Sequence, residues 1–431
     1  MKKEKLINKN NTIISKNVSE ALNVKKTISS GNIMFVGEKD LTSLIITNIL
    51  QLNSSFVVTI SNEGIVSSDI EKFLKSNGYK VKILDLRPNH ESSECYNPLK
   101  RIKNEDDMCK FVDCIMMNSA SDNAKEYDKD DFWISAERCL MIAALAYVLK
   151  YNKEDKKNII ELSEFFASDG YAYCENNDGI IHMFELFEKC PHDSLTYKYY
   201  AAFDKSSGKS KKGMFVSALL RLRKFYYGNH NTLNRDTLNI EIMEKEKTAL
   251  FIIPTQDNYC NELYSILYTQ IIDALFEFED KNRGSELIPV QLFMNNFAAN
   301  GRIPEFETKL VMMCNYNVSA RIFVESITQL KQKYPNTWNE LMCNCSHSVF
   351  LGASNFETLL YFAEKIDEIK SECIRETSLL NIMKELNKLP EHQCVVIREY
   401  SCKKEIILDN KYYPNHHPLA SSVSGGHWFV L

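Results

Sequence analysis

No long hydrophobic run occurs in the chain. The longest, Cys139 to Leu149, sits between Arg138 and Lys150 and falls well short of the roughly 20 apolar residues that span a bilayer, so it predicts a buried helix and not an anchor. A signal-peptide pattern is also missing. Met1 to Lys26 carries lysines and asparagines with only scattered aliphatics, and residues 1–27 are expected to be a flexible arm. There is no cysteine framework: the 13 cysteines, an odd number, are scattered from Cys95 to Cys402, which points to reduced thiols in the cytoplasm. Nor is there an excess of basic charge. With 52 Lys and Arg against 57 Asp and Glu, a net charge of −5, the whole surface cannot coat a nucleic acid, and any such contact must be local. Internal repeats and low-complexity segments are absent.

What is present is a globular composition, 44% apolar over 431 residues, enough for two or three structural units. Short β-rich runs at Asn32 to Val36, Ser55 to Ile60 and Val81 to Leu86 alternate with helix-compatible stretches at Leu41 to Leu52 and Ser68 to Asn77. Alternation of this kind builds parallel crossover units, so the first hundred residues predict the start of a doubly wound α/β sheet. From Asn104 to Glu246 the period changes to helical, at Met108 to Met117, Phe132 to Tyr151, Ile180 to Lys189 and Gly213 to Phe225. Strands resume at Ala249 to Ile253, Pro289 to Met294, Ala320 to Glu325 and Ser348 to Leu351, with helices at Asn261 to Glu279 and Phe356 to Lys370. The expected units are therefore 28–103 with 247–431 as one α/β domain and 104–246 as an all-α insertion. Gln393 to Ile397 is expected to be an edge strand, followed by a strap rich in Pro and His.

Several separated stretches, in order, carry a resemblance to a known family: Asn48 to Thr59, Gly78 to Leu86, Cys95-Tyr-Asn-Pro-Leu99, Asp131-Phe-Trp133, Gly208 to Lys212, Phe297 to Phe306, Thr328-Gln-Leu-Lys331, Asn344-Cys345 with Val349 to Gly352, Lys411-Tyr-Tyr-Pro, and His417-Pro418. From about Gly31 to Pro418 the chain resembles the cytoplasmic ATPase part of the type IV coupling proteins, the TraG/TraD family of conjugation. The resemblance implies a RecA-like P-loop NTPase fold with an inserted all-α domain, ATP and magnesium as cofactors, DNA-dependent ATP hydrolysis as the activity, and assembly into rings. Members normally carry N-terminal transmembrane helices, and none is expected in this chain.

At the chemical centre the chain departs from the family. A P-loop reads G-x-x-x-x-G-K-[ST], because glycines let backbone N–H groups wrap the phosphates while the Lys and the hydroxyl meet phosphate and magnesium. Here Val36-Gly-Glu-Lys-Asp-Leu-Thr-Ser43 stands in that place. Aligned on the family motif, the Lys position falls on Asp40 and the hydroxyl position on Leu41. An anion replacing that cation turns an attraction of about 4 kcal/mol, at 4 Å and a dielectric near 20, into a repulsion. A shifted register would leave Gly37, Lys39, Thr42 and Ser43 as the remaining nucleotide-binding candidates; the plainer reading is a strand-to-helix connection. The second family motif, an apolar strand ending in Asp-Glu, ends here in Asn295-Asn296, and amides cannot take a proton from water. Where the family has a glutamine after the next strand, Glu325 stands. These positions predict that hydrolysis is lost, and that neither ATP nor magnesium is bound as in the family; the alternative is an active DNA-translocating ATPase with a non-standard P-loop.

Two motifs are decoys. Ser207-Gly-Lys-Ser210 has Phe203 at the first glycine position and no strand before it, and Cys343-x-Cys345-x-His347 lacks a second pair of zinc ligands. The tail histidines His416, His417 and His427 form no constellation, so no metal is expected. One positive feature remains: Lys209, Lys211, Lys212, Arg221, Arg223 and Lys224, with Tyr226 and Tyr227 beyond, concentrate positive charge along one helix. Such a strip suits DNA or an acidic protein, and equally a solvated helix face. The expected role is a non-hydrolysing coupling-protein relative, a binding or scaffold subunit. Its expected partners are an active coupling ATPase, a relaxase, accessory proteins or further copies of the chain.

Overall fold

The computed structural model describes residues 11–22, 31–37, 42–60, 68–87, 94–119, 130–175, 182–226, 230–254, 261–371, 379–400 and 403–411. Its strands are β1 (Asn11–Ile13), β2 (Ser19–Ala21), β3 (Ile33–Val36), β4 (Ser55–Thr59), β5 (Lys80–Asp85), β6 (Thr248–Ile253), β7 (Val290–Met294), β8 (Val318–Val324), β9 (His347–Phe350), β10 (Gln393–Tyr400) and β11 (Lys403–Asn410). The first two form a hairpin and the rest a nine-stranded sheet in the order β11-β10-β9-β3-β8-β7-β4-β6-β5. From β9 to β5 all neighbours run parallel; β10 and β11 add antiparallel at one side.

Helices α1 (Thr42–Ile49) and α2 (Ser68–Ser76) follow β3 and β4. Between β5 and β6 every described element is helical: α3 (Glu105–Asn118), α4 (Phe132–Tyr151), α5 (Ile159–Glu175), α6 (His182–Glu188), α7 (Leu195–Ser207), α8 (Lys211–Tyr226), α9 (His230–Leu233) and short 3-10 turns. The second half supplies α10 (Asn261–Lys281), α11 (Phe306–Met313), α12 (Ile327–Lys333), α13 (Trp338–Cys343), α14 (Phe356–Ser371) and α15 (Leu379–Asn387).

The period of two in the strands sorts the core into two layers. Ile33, Phe35, Phe56, Val58, Phe251, Phe293 and Phe323 face α1 and α2, and the Phe35 and Phe323 rings stack 4.7 Å apart. Met34, Val36, Val57, Leu250, Leu292, Met294 and Ile322 belong to the opposite layer, which is continuous with the helical region between β5 and β6. One helix among the described residues, α4, is long and apolar enough to cross a membrane, but 56% of its apolar window is buried inside the protein. It is the core of the helical region, packing against α7 and α8.

Residues 11–22 overturn the flexible-arm expectation, since Ile13, Ile14 and Val18 are buried against the α1 side of the sheet. Asn48 of α1 accepts from Ile13 N at 2.8 Å and donates to Ile13 O at 3.1 Å. Asp409 of β11 accepts from Ser15 Oγ and from the backbone and side chain of Asn17 at 2.6–2.7 Å. Burial alone would raise that carboxyl, but these hydrogen bonds together hold it below the ordinary aspartate range. Thr12 Oγ1 accepts from the fully buried Arg321 of β8 and donates to Gln291 of β7 at 2.7 Å. The edge-strand expectation for Gln393 to Ile397 is corrected too: β10 is interior, and β11, which pairs with it from Gln393↔Asn410 to Tyr400↔Lys403, is the outermost strand. The Pro and His strap, with His416, His417 and His427, lies outside the described residues.

Two ion pairs fix α8, one within the helical region and one to α10 outside it. Arg221 of α8 pairs at 2.8 Å with Glu137 of α4 and also donates to Met116 O and Ser119 Oγ. Lys224 of α8 reaches Glu262, in the first turn of α10 and wholly buried. The other Glu262 oxygen, Oε2, has no hydrogen-bond partner among the described residues. Burial outweighs the Lys224 ammonium and pushes this carboxyl up to about 7.

These contacts yield two predictions. Thr12→Val strips the Arg321 guanidinium of a buried acceptor and should lower stability by about 1–3 kcal/mol, and Arg321→Met, which leaves the buried Glu20 without its cation, should cost more; urea melts of both variants decide the order. For Glu262 the folded protein binds the proton more tightly than the unfolded chain, so its contribution is complete below about pH 4.5 and is lost as pH rises towards 7. Glu262→Gln should therefore flatten the fall of Tm with pH across that window, measured by calorimetry.

Candidate functional site

Parallel pairing brings the C-terminal ends of β3, β8 and β7 to one edge. The registers Val36↔Val324 and Met294↔Ile322 set Gly37 beside Glu325 and Asn295 beside Phe323, two residues before Glu325. Two bonds carry the alignment past the strands: Gly37 N donates to Val324 O at 3.0 Å and Phe297 N to Phe323 O at 2.9 Å. Every sequence-identified position of the phosphate-facing set that the structure describes is therefore at this edge. Lys39, Asp40 and Leu41 lie outside the described residues. Thr42 and Ser43 form the first turn of α1, and the Ser43 carbonyl accepts from Thr47 Oγ1 at 2.7 Å.

Gly37 has a packing reason to be glycine. A Cβ there would stand 2.7 Å from Gly352 O and 2.8 Å from Leu351 Cβ, because the chain beyond β9 crosses directly against it. At the end of β7, the Asn295 side-chain oxygen accepts from the N–H of Asn296 at 3.0 Å. Asn300 donates to the carbonyls of both, at 3.1 and 3.0 Å. Asn296 is left-handed, with φ 50°, a conformation that asparagine adopts at lower cost than glutamate. The side-chain amides of Asn295 and Asn300 thus close a turn around the backbone of Asn296. Glu325 is exposed, and Ser326 beside it caps α12 by accepting from Gln329 N.

The loop after β7 is held from several sides. Asn118, at the end of α3, accepts from Arg302 N at 2.6 Å and donates to Arg302 O at 2.9 Å, and Ser265 of α10 donates to the same oxygen. A Cβ on Gly301 would lie 1.8 Å from Asn261 O, so the loop lies flush on the start of α10. The Arg302 guanidinium lies over the Tyr334 ring, 5.4 Å from its centroid. At the end of β4, Thr59 shares a 2.7 Å hydrogen bond with Tyr268. Sequence reading missed Glu262, Asn118 and Tyr268; each lies in an ordinary helical pattern, and only Gly301 between Asn300 and Arg302 hinted at a close approach.

A magnesium ion at this edge needs oxygen ligands, carboxylates above all. At the end of β7 the structure offers an amide oxygen already engaged by a backbone N–H, and at the end of β8 an exposed carboxylate. This donor set does not fit the metal of a phosphoryl-transfer site. Among the described residues no group of three His, Cys, Asp or Glu can hold a metal ion. Cys343 is exposed and Cys345 buried, while His347 is enclosed, hydrogen-bonded to Ser346 and accepting from Arg398 at 3.0 Å. Burial, with Arg398 and Arg321 nearby, pulls its imidazole down to about 3. The second decoy, Gly208–Ser210, is a 3-10 turn between α7 and α8.

The basic strip is divided. Arg221 and Lys224 point inward to Glu137 and Glu262 and are part of the packing. Lys211 pairs with Asp204. Lys209, Lys212 and Arg223 are exposed. Tyr227 and the side chain of Tyr226 lie outside the described residues.

The fold has solved counterparts. The bacterial conjugative coupling protein TrwB in complex with sulphate is similar with a TM-score of 0.62 and 12% identity, over 95% of this chain and 91% of that one. The plasmid coupling protein TrwB in complex with ADP and Mg2+ is similar with a TM-score of 0.63 and 14% identity, over the same shares. At such identities the likeness establishes the fold, a RecA-type P-loop architecture. No curated protein matches significantly in sequence. The family model described as "Type IV secretory system Conjugative DNA transfer", however, matches residues 2–375, and the chain belongs to that conjugative DNA-transfer family of coupling proteins.

Proposed function

We propose that the chain is a coupling-protein relative that retains the motor fold without hydrolysing nucleotide, and that it serves conjugative DNA transfer as a binding or scaffold subunit on the cytoplasmic side. The observation that carries this reading is the end of β7, where two amides replace the family's acids, the Asn295 side-chain oxygen is taken by the Asn296 N–H, and Asn296 is held in a left-handed turn. A hydrolytic site needs a metal-binding carboxylate and a second one to polarise water there. Exposed Glu325 at the neighbouring strand end adds negative charge where triphosphate would lie. TrwB has been solved with ADP and Mg2+ and with a non-hydrolysable ATP analogue; the substitutions here argue that this chain has given up that chemistry. The family context supports a role beside an active coupling ATPase, a relaxase or accessory proteins.

Phosphate release in the presence of magnesium should stay at background with or without single-stranded DNA, and calorimetry should show no micromolar ATP binding. DNA-stimulated turnover would overturn the reading. Restoring charge alone should not help: Asp40→Lys with Asn295→Asp and Asn296→Glu should remain inactive, because the glycines of the loop are still missing. Asn296→Glu should in addition destabilise by about 1 kcal/mol through its left-handed backbone, while Asn296→Gly should be close to neutral in the same thermal melts.

A further inference from the structure

Helix α8 has two faces with different chemistry. Inward, Met214, Phe215, Ala218, Leu222 and Phe225 are buried. Outward, Gly213 and Leu220 are seven residues apart, two turns along one stripe, with half-buried Val216 between them. The indole of Trp133, from the start of α4, lies against Gly213, where a Cβ would approach its ring to 3.0 Å. Leu220 is 60% exposed, Phe132 61% and Trp133 40%. Large apolar side chains exposed together on one unit mark an interaction surface more often than chance.

Basic residues stand at the two ends of this stripe. Arg223 lies one turn beyond Leu220 on α8, and Lys209 stands in the 3-10 turn Gly208–Ser210 just before the helix. Both are exposed, and neither makes an ion pair among the described residues. We propose that the outer face of α8, with Phe132 and Trp133, docks an acidic amphipathic helix of a partner protein: an apolar stripe against Trp133, Val216 and Leu220, and carboxylates at its ends meeting Lys209 and Arg223. The proposal deepens the scaffold reading and rests on it for the partner's role. A protein helix suits the face better than nucleic acid. At the centre of the stripe Val216 and Leu220 present only aliphatic side chains, which fit the apolar face of a helix and offer no hydrogen bond to a base edge or a phosphate.

The test uses the full chain and a labelled acidic amphipathic peptide of about 16 residues, with Leu and Ile on one face and Glu at both ends. A scrambled peptide of the same composition and an oligothymidylate serve as comparisons. The expected result is saturable binding of the ordered peptide only, weakened at least about tenfold by Leu220→Glu and by Lys209→Glu with Arg223→Glu. Leu408→Glu, on exposed β11, should leave it unchanged, and circular dichroism should be the same for all variants. Equal binding of the scrambled peptide, binding unaffected by Leu220→Glu, or oligothymidylate competing for the same face would overturn the proposal. ATP turnover is followed in the same preparations: turnover with peptide binding intact refutes the non-hydrolysing reading alone, and absent binding without turnover refutes the docking face alone.

Discussion

The parallel pairing of β3, β8 and β7 is the constraint on which the rest of the structure depends. Strands that run the same way, buried on both faces, deliver all their C-terminal ends to one edge, and whatever residues follow them become neighbours without any contact between their side chains. Here that edge collects a glycine wedged under the chain beyond β9, a pair of asparagines folded into a turn, and an exposed glutamate. The strand-end geometry of a P-loop fold is kept, while the described residues at those ends differ from the family's motifs. Fold and chemistry can vary separately in such a protein, because the first depends on apolar alternation in the strands and the second on a few polar positions just past their ends.

Most of the sheet was legible because its signal is local. Runs such as Ser55 to Ile60 and Ala249 to Ile253 are β-branched and aromatic, bounded by polar turns, and they become strands within a residue or two of the expected limits. Helix α4 matches its expected span, Phe132–Tyr151. Helix α7 was missed although its buried residues Thr196, Tyr200, Phe203 and Ser207 follow helical spacing, since two of the four, Thr196 and Ser207, are polar and break the apolar stripe. The hairpin of residues 11–22 was misread for a related reason. Its strands are three residues each, too short for periodicity, and it is held by Asn48, Gln291, Arg321 and Asp409, partners distant in sequence. Long-range polar bonds leave no local trace.

The site was legible in position and not in meaning. Asn295, Asn296 and Glu325 could be placed from their motifs, but that the amides of Asn295 and Asn300 close a turn, and that Gly37 is demanded by the carbonyl of Gly352, are properties of packing. The basic helix shows the same limit. Charge counted along a sequence cannot tell Arg221, which neutralises a buried glutamate, from Arg223 two residues on, which faces solvent. Helical geometry separates them by roughly 200° around the axis, and the burial of the acidic partners decides which of the two is structural.

Asn118 uses a single side-chain amide to bind both the N–H and the carbonyl of Arg302, as a neighbouring strand would. A side chain of α3 is in that way spliced into the backbone of the loop that leaves β7. A tilt of α3 and the helices packed on it must either break two hydrogen bonds at once or carry the strand-end edge along. The helical region and that edge are thus joined as a hinge leaf is to its plate, so that a shift of one is carried to the other for as long as both bonds hold.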